Sequence, residues 1–370
     1  MKVAIDAQAL GTQGGGDETY MRNVIRGLAA VDPGGDYTLY FARPLPDLRI
    51  PGTERMRRVV VPHKLFRRTP VAIPLRAARE HIDVIHTQYA SPPFSIVPVV
   101  VSIHDISYER YPQWFTHADL LHMRAFVGPT ARRAAVVLTL SEFSKDNIVR
   151  RYCVPPDRVV VTHCAADPVF RPLHDAGRLA EVRDRYGTGE HYILCVGNLQ
   201  PRKNLVTLIQ AYVRLRQADA TRHKLVLVGR KGWLYDDIFA AARDSGYADE
   251  LVFTDYVPDE DLVALYNAAG LFVYPSLFEG FGIPPLEAMA CGTPTITSNT
   301  SALPEVVGDA ALTIDPLDVE ELARAMRAVL DDNALQERLS ARGLQRAATF
   351  SWEATARTIL DVYHRVSRSG

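Results

Sequence analysis

At 370 residues, with 47% hydrophobic and 23% charged residues, the chain is long for one core and too apolar for a disordered polymer, so two globular domains are expected. The formal net charge of −1 hides an asymmetry, because residues 1–170 carry 21 Lys+Arg against 16 Asp+Glu and the remainder 21 against 27. Four cysteines without a Cys-x-x-Cys spacing suggest neither a zinc site nor a disulfide framework.

Met1 to Asp6 places an acid where a signal peptide needs an apolar core, and no run reaches the ~18 apolar residues of a membrane span. A cytoplasmic chain is expected, at most peripheral at the inner membrane face. Arg55, Arg57, Arg58, Lys64, Arg67, Arg68, Arg76 and Arg79 form a basic stretch that would meet anionic lipid or an acidic acceptor, or else make a solvated face.

Along the chain, short β-branched runs alternate with amphipathic stretches, the pattern of βαβ units and parallel sheets. The first half reads as strands at Val3–Ala7, Tyr37–Phe41, Val59–Val61, Val84–Thr87, Val99–His104, Val136–Leu140 and Val159–Thr162. Helices are predicted at Thr19–Ala30, around Val71–His81, within Asp119–Arg133 and at Glu142–Arg151. The second half restarts with strands at Tyr192–Val196, Leu225–Val228, Leu251–Thr254, Leu271–Tyr274, Pro294–Thr297 and Ala311–Ile314. Its predicted helices are Leu205–Gln217, Asp259–Ala269, Leu286–Ala290 and Val319–Leu330, the last with a capping box of Asp318 and Glu321. The Pro- and Gly-bearing stretch 171–189 reads as a linker, which gives domains over 1–170 and 190–351.

In doubly wound sheets, ligands collect beyond the C-terminal ends of the strands. After the first strand comes Gly14-Gly15-Gly16-Asp17-Glu18, too late and too acidic for a dinucleotide fingerprint. The glycines would approach an acceptor or form a flexible turn, and Asp17 and Glu18 suit acceptor hydroxyls better than a phosphate. The strand Val99–His104 ends in a histidine able to donate to or accept from a ligand, with His86 a weaker candidate. In the second half, Arg202-Lys203 and Arg230-Lys231 follow two successive strand ends, where cations ahead of a helix call for an anion.

The stretch Glu279-Gly280-Phe281-Gly282-Ile-Pro-Pro-Leu-Glu287 follows another strand and opens a helix with proline in its first turn. Its glycines admit a ligand to the backbone, and its N–H groups form an anion cradle; the alternative is a tight turn with two solvated acids. The carboxyls of a retaining glycosidase lie ~5 Å apart and those of an inverting one ~6.5–9.5 Å. Eight helical residues would separate these two by ~12 Å, which suits the ends of an extended ligand.

These segments closely resemble the nucleotide-sugar-dependent glycosyltransferases of family 4. The resemblance rests on Glu279-x7-Glu287, Ala290-Cys-Gly-Thr-Pro294, Pro201-Arg-Lys-Asn204, Leu227-Val-Gly-Arg-Lys-Gly-Trp233, Phe253-Thr-Asp-Tyr-Val-Pro258 and Ile103-His-Asp105. It implies an α/β protein of GT-B fold: two doubly wound Rossmann-like domains facing a cleft, with a C-terminal helix, 352–370, returning to the acceptor-binding first domain. It implies retaining transfer of a hexose, mannose or glucose, from a GDP-, UDP- or ADP-linked donor to a hydroxyl acceptor in polysaccharide or glycolipid assembly. By the same resemblance the catalytic groups are His104, Lys203 and Glu279. Arg202, Lys203, Arg230, Lys231, Tyr256, Val257, Glu279, Gly280, Phe281, Gly282 and Glu287 would hold the donor. Glu287 would accept from the ribose hydroxyls, Glu279 would contact the sugar, and Gly14, Gly15 and Gly16 would lie on the acceptor side. A saccharide or lipid-linked saccharide acceptor is expected, with no nucleic acid partner.

Neither a catalytic metal nor a tightly bound cofactor is expected. Lys203→Ala is expected to cost transfer more than tenfold while leaving folding intact. The alternatives are a nucleotide-sugar epimerase or phosphorylase of the same fold, or an inactive sugar-binding subunit. The chain departs from the usual family pattern at Asp17-Glu18, at Asn198, where an arginine is common, and at Thr162-His-Cys-Ala-Ala-Asp167.

Overall fold

The computed structural model describes residues 1–12, 15–61 and 68–368. The chain divides into a unit of residues 1–164 and 351–370 and a unit of residues 165–350. The first unit is built on a parallel sheet of β1 (Lys2–Asp6), β2 (Asp36–Phe41), β3 (Arg57–Val60), β4 (Val84–Gln88), β5 (Val99–Ser102), β6 (Val136–Thr139) and β7 (Val159–Val161). Its spatial order is β3-β2-β1-β4-β5-β6-β7. The central strands are apolar runs because helices cover both faces of such a sheet, and every residue of β4, β5 and β6 is buried.

The second unit repeats the plan with β8 (Tyr192–Val196), β9 (Lys224–Val228), β10 (Leu251–Asp255), β11 (Leu271–Tyr274), β12 (Thr295–Ser298) and β13 (Leu312–Ile314), in the order β10-β9-β8-β11-β12-β13. Strand order therefore reverses between β1 and β4 in one sheet and between β8 and β11 in the other. Ligand crevices of doubly wound sheets open at such reversals.

The stretch 171–189, expected as a linker, instead contains the helix Ala176–Tyr186, which belongs to the second unit. The Asp175 side chain accepts from Arg178 N–H at its start and Gly187 closes it in the left-handed conformation. Asp261, on the helix Asp259–Ala268, accepts from Arg178, from Arg185 at 2.8 Å and from Tyr186 at 2.7 Å, so one buried carboxylate fastens the two helices together. The Asp318 side chain caps its helix as expected, but Glu321 reaches the N–H of Asp315 rather than closing the reciprocal bond.

The helix Trp352–Arg368 packs in the first unit against the helix Gly16–Val31. Contact is close enough to require glycine: a Cβ on Gly27 would stand 2.8 Å from the Trp352 carbonyl oxygen and 2.9 Å from Ala356 Cβ. His86, weighed as a site residue, has no surface at all. Its Nδ1 lies 2.6 Å from the Tyr363 hydroxyl and its Nε2 2.7 Å from Ser102 Oγ, so it fastens the terminal helix to the sheet. Burial lowers its pKa to about 3, which keeps the ring neutral.

Among the described residues of the basic stretch, Arg57, Arg58, Arg68 and Arg76 are held by partners within the unit, and Arg55, Arg57, Arg58 and Arg79 are exposed. Arg68 is buried, donating to Asp6 at 2.6 and 2.7 Å and to the carbonyls of Tyr40 and Val61. Arg57 and Arg76 share Glu80, and Arg58 donates to the Leu48 carbonyl. Lys64 and Arg67 lie outside the described residues. Among the described residues no helix is long and apolar enough to cross a membrane.

Candidate functional site

In the second unit, Lys203 follows β8 and Glu279 follows β11, the two strands that flank the reversal of order. Lys203 ends a short 3-10 turn, Pro201–Lys203, and the left-handed Asn204 then starts the helix Leu205–Gln217. The Asn204 amide donates to the carbonyls of Pro275 and Pro316, which ties the β8 turn to the β11 turn. Ser276 Oγ and the Leu277 N–H both donate to the Arg202 carbonyl.

Glu279 is the acceptor on which this region converges. Its Oε1 receives Lys203 Nζ at 2.6 Å, Ser276 Oγ at 2.6 Å and the Tyr274 hydroxyl at 2.9 Å, and its Oε2 receives Arg202 at 3.1 Å. Burial alone would raise its pKa, but Arg202 and Lys203 override that and hold it at about 2. Burial lowers the pKa of Lys203, and Glu279 opposes the shift. Lys203 is therefore half of a buried ion pair, and Glu279 also pairs with Arg202 at 3.1 Å.

The helix behind Glu279 runs Ile283–Ala290, starting three residues before the expected Leu286. Gly282 caps it with φ +119°, a conformation open to glycine, and a Cβ there would meet Leu303 at 2.7 Å. Pro284 and Pro285 remove two amide donors from the first turn, so the donors of this turn are Gly280, Phe281, Gly282 and Ile283. The cradle is poorer in N–H groups than an ordinary helix start, and the cations carry more of its positive charge. The Phe281 ring is buried and edge-on to Phe350.

Glu287 lies on the same helix in a different environment. It is buried and accepts from the Tyr266 hydroxyl at 3.0 Å, with no cation among the causes of its shift. Burial, with Asp259 and Asp167 adding to it, raises its pKa to about 8 against the opposing Tyr266 bond. A carboxyl with its pKa at about 8 holds its proton at neutral pH.

The Arg230 and Lys231 loop is laced to the β8 turn: Leu199 N–H donates to the Arg230 carbonyl at 2.8 Å and Gly232 N–H to the Leu199 carbonyl at 2.9 Å. The Arg230 guanidinium stands 4.6 Å from the ring centre of Tyr256, a residue 53% exposed, and with Lys231 and Asp255 these line an open depression. Lys231 is turned toward the Tyr235 and Phe239 rings. Val257, expected beside a base, is buried in the core, which leaves Tyr256 alone at that surface.

In the first unit, His104 lies just beyond β5 and is 6% exposed. Its Nδ1 is 2.9 Å from Asp17 Oδ1, and the Tyr20 and Tyr89 rings stand at 4.5 and 5.4 Å. Gly15, the residue before the helix, has φ +67° and ψ −129°, a turn that favours glycine, whereas Gly16 is the first helical residue with open space about it. Gly14 lies outside the described residues. Glu18 is held by the Gly11 N–H and Arg22. The pairing of Asp17 with His104 was missed in the sequence, where 86 residues intervene; its signal was an acid in the first turn after β1 and a histidine after β5, close strands of one sheet. Among the described residues no cluster of His, Cys, Asp and Glu is placed to hold a metal ion.

Two parallel sheets of this order define a GT-B fold, with cations and a buried carboxylate at the second sheet's switch point. Residues 14–170 match the family described as Glycosyltransferase Family 4, and residues 182–346 match Glycosyl transferases group 1. The chain is 37% identical over 289 residues to O-antigen chain mannosyltransferase B of Escherichia coli, covering 78% of this chain and 76% of that one. It is 35% identical over 240 residues to the serotype-specific mannosyltransferase WbdA of Escherichia coli, covering 64% of this chain and only 29% of WbdA. In structure it resembles a sucrose-phosphate synthase from Thermosynechococcus elongatus, with TM-score 0.81, 23% identity and all of both chains covered. It also resembles Anabaena Alr3699/HepE in complex with UDP and glucose, with TM-score 0.78, 17% identity, and 99% and 100% covered. The chain belongs to the family 4 glycosyltransferases and is a hexosyltransferase.

Proposed function

We propose that the chain transfers mannose, with retention at the anomeric carbon, from a nucleoside diphosphate sugar to a hydroxyl of a growing saccharide. The observation that carries this reading is the buried Lys203–Glu279–Arg202 network beside the Gly280–Ile283 turn. As the glycosidic C–O bond stretches, charge builds on the departing β-phosphate, and preorganised cations in a site of low dielectric are worth most there. Arg202 and Lys203 supply that charge, with Arg230 or Lys231 available to the same anion. Glu279 neutralises the two cations until the diphosphate arrives, and its Oε2 keeps acceptor capacity for a sugar hydroxyl. Tyr256 would stack against the base and Glu287 would meet the ribose hydroxyls. The mannosyltransferase names of two sequence relatives favour mannose, and the neighbour solved with UDP and glucose supports a nucleotide-sugar donor.

A panel of GDP-, UDP- and ADP-linked hexoses tests this by thermal shift and then by transfer to saccharide acceptors. A ligand at 100 times its Kd stabilises the native state by about 2.7 kcal/mol, so one nucleotide class should raise the melting midpoint clearly and support transfer. No shift and no transfer with any donor would overturn the reading.

A further inference from the structure

His104 Nδ1 lies 2.9 Å from Asp17 Oδ1, and a carboxylate oxygen at that distance requires the ring hydrogen on Nδ1. Gln88, at the end of β4, fixes the other nitrogen. Its side-chain N donates to the Asp17 carbonyl at 3.3 Å, which sets the orientation of the amide, and the same nitrogen lies 3.5 Å from His104 Nε2. An N–H on Nε2 would point donor against donor. The start of the helix Gly16–Val31 and the ends of β4 and β5 thus supply one arrangement in which Nε2 carries a lone pair.

The acid is well placed for this task. The turn at Gly15 brings the helix start to the edge of the sheet, and Glu18, pinned by Gly11 and Arg22, holds the register that puts Asp17 at the ring. His104 is buried, whereas the Asp17 side chain is half exposed, so the pair meets the surface from the acid's side.

Granted the transferase reading above, we propose that Asp17 is the positioning residue for His104: it locks the ring as the Nδ1–H tautomer, so that Nε2, met by Gln88 at a long 3.5 Å, accepts a hydrogen bond from a saccharide hydroxyl that displaces the Gln88 contact. Free histidine favours the other tautomer, so without the carboxylate this acceptor is lost to much of the population. The hydroxyl belongs either to the acceptor or to the donor sugar, and the KM that moves tells which.

The test combines 15N spectra of the histidine rings with kinetics of the full chain. The His104 signals are assigned by their loss in His104→Gln. The expected wild-type spectrum shows Nδ1 protonated and Nε2 bare. Asp17→Asn, an isostere whose amide can donate to Nδ1, should abolish that pattern and lower kcat at least tenfold, while nucleoside diphosphate affinity stays within twofold. A wild-type ring protonated on Nε2, or an Asp17→Asn variant with wild-type kcat, would overturn the assignment. If the variant does not fold, the wild-type spectrum still decides. A wild-type chain that binds no nucleotide and transfers no sugar sinks the transferase reading and this role with it, and the spectrum then reports whether the Asp17–His104 pairing itself is real.

Discussion

Glu279 and Glu287 stand eight residues apart around one helix start, both buried, and their environments push them in opposite directions. Glu279 faces two cations and two hydroxyls and is held at about 2; Glu287 faces one hydroxyl and more distant acids and is pushed to about 8. Burial is common to both, so the difference comes from partners. A motif written as two identical letters thus holds one charged group and one neutral group at pH 7. Their effects on stability are opposite too. Glu279 contributes fully above its unfolded pKa near 4.5, and that contribution is lost as pH falls from there toward 2. Glu287 costs nothing below 4.5, and its penalty grows as pH rises toward 8.

The sharpest way to break this contrast is to take away one member of the buried pair. Glu279→Ala should lower the unfolding free energy in urea by about 3–5 kcal/mol at pH 7, because buried Lys203 is left unpaired; Lys203→Ala should cost less, because Arg202 still pairs with Glu279, and each should reduce transfer more than tenfold. The double variant Lys203→Met, Glu279→Gln should regain most of that stability without regaining activity. A double variant as unstable as the single ones would show that the pair is not where the stability resides.

Glu287→Gln should unfold at a higher urea concentration than wild type at pH 8 and at nearly the same concentration at pH 4. If ribose hydroxyls favour the ionised carboxyl, nucleotide binding to wild type near pH 7 releases a proton. Calorimetry in buffers of different ionisation enthalpy would detect the release, and it should vanish in the variant. A binding enthalpy independent of buffer in both proteins would place the ribose elsewhere.

The smallest effect is expected for Tyr266→Phe, which removes the single hydrogen bond that opposes the shift of Glu287. Stability should fall by about 0.5–1.5 kcal/mol, and the pH at which proton release is greatest should move upward. An unchanged pH of maximal release would mean that Tyr266 does not govern the carboxyl.

The strands were legible in the sequence because a parallel sheet covered on both faces needs unbroken apolar runs, and every run from Val3 to Ile314 forms one. Helices that stay half exposed were harder. Ala176–Tyr186, Asp236–Asp244 and Asn333–Ala347 bury only one, two and three residues beneath charged faces. Among site residues, the spacing marked Lys203, Glu279 and His104 as following strand ends, which is a property of local order. Their partners were not visible, because Tyr274 with Lys203, Asp17 with His104 and Tyr266 with Glu287 are joined by tertiary contact. Protonation states were hidden for the same reason: Glu279 and Glu287 read alike until the cations around one of them are located.

The fastening of the terminal helix through Tyr363, His86 and Gly27 has a consequence for how the polypeptide is made. The second unit is one continuous segment, 165–350, and is fully synthesised before the helix Trp352–Arg368 leaves the ribosome. The first unit begins the chain yet waits for its last segment, since the buried ring of His86 has no phenol to meet until Tyr363 emerges. Residues 1–164 are therefore made before the second unit yet completed only after it.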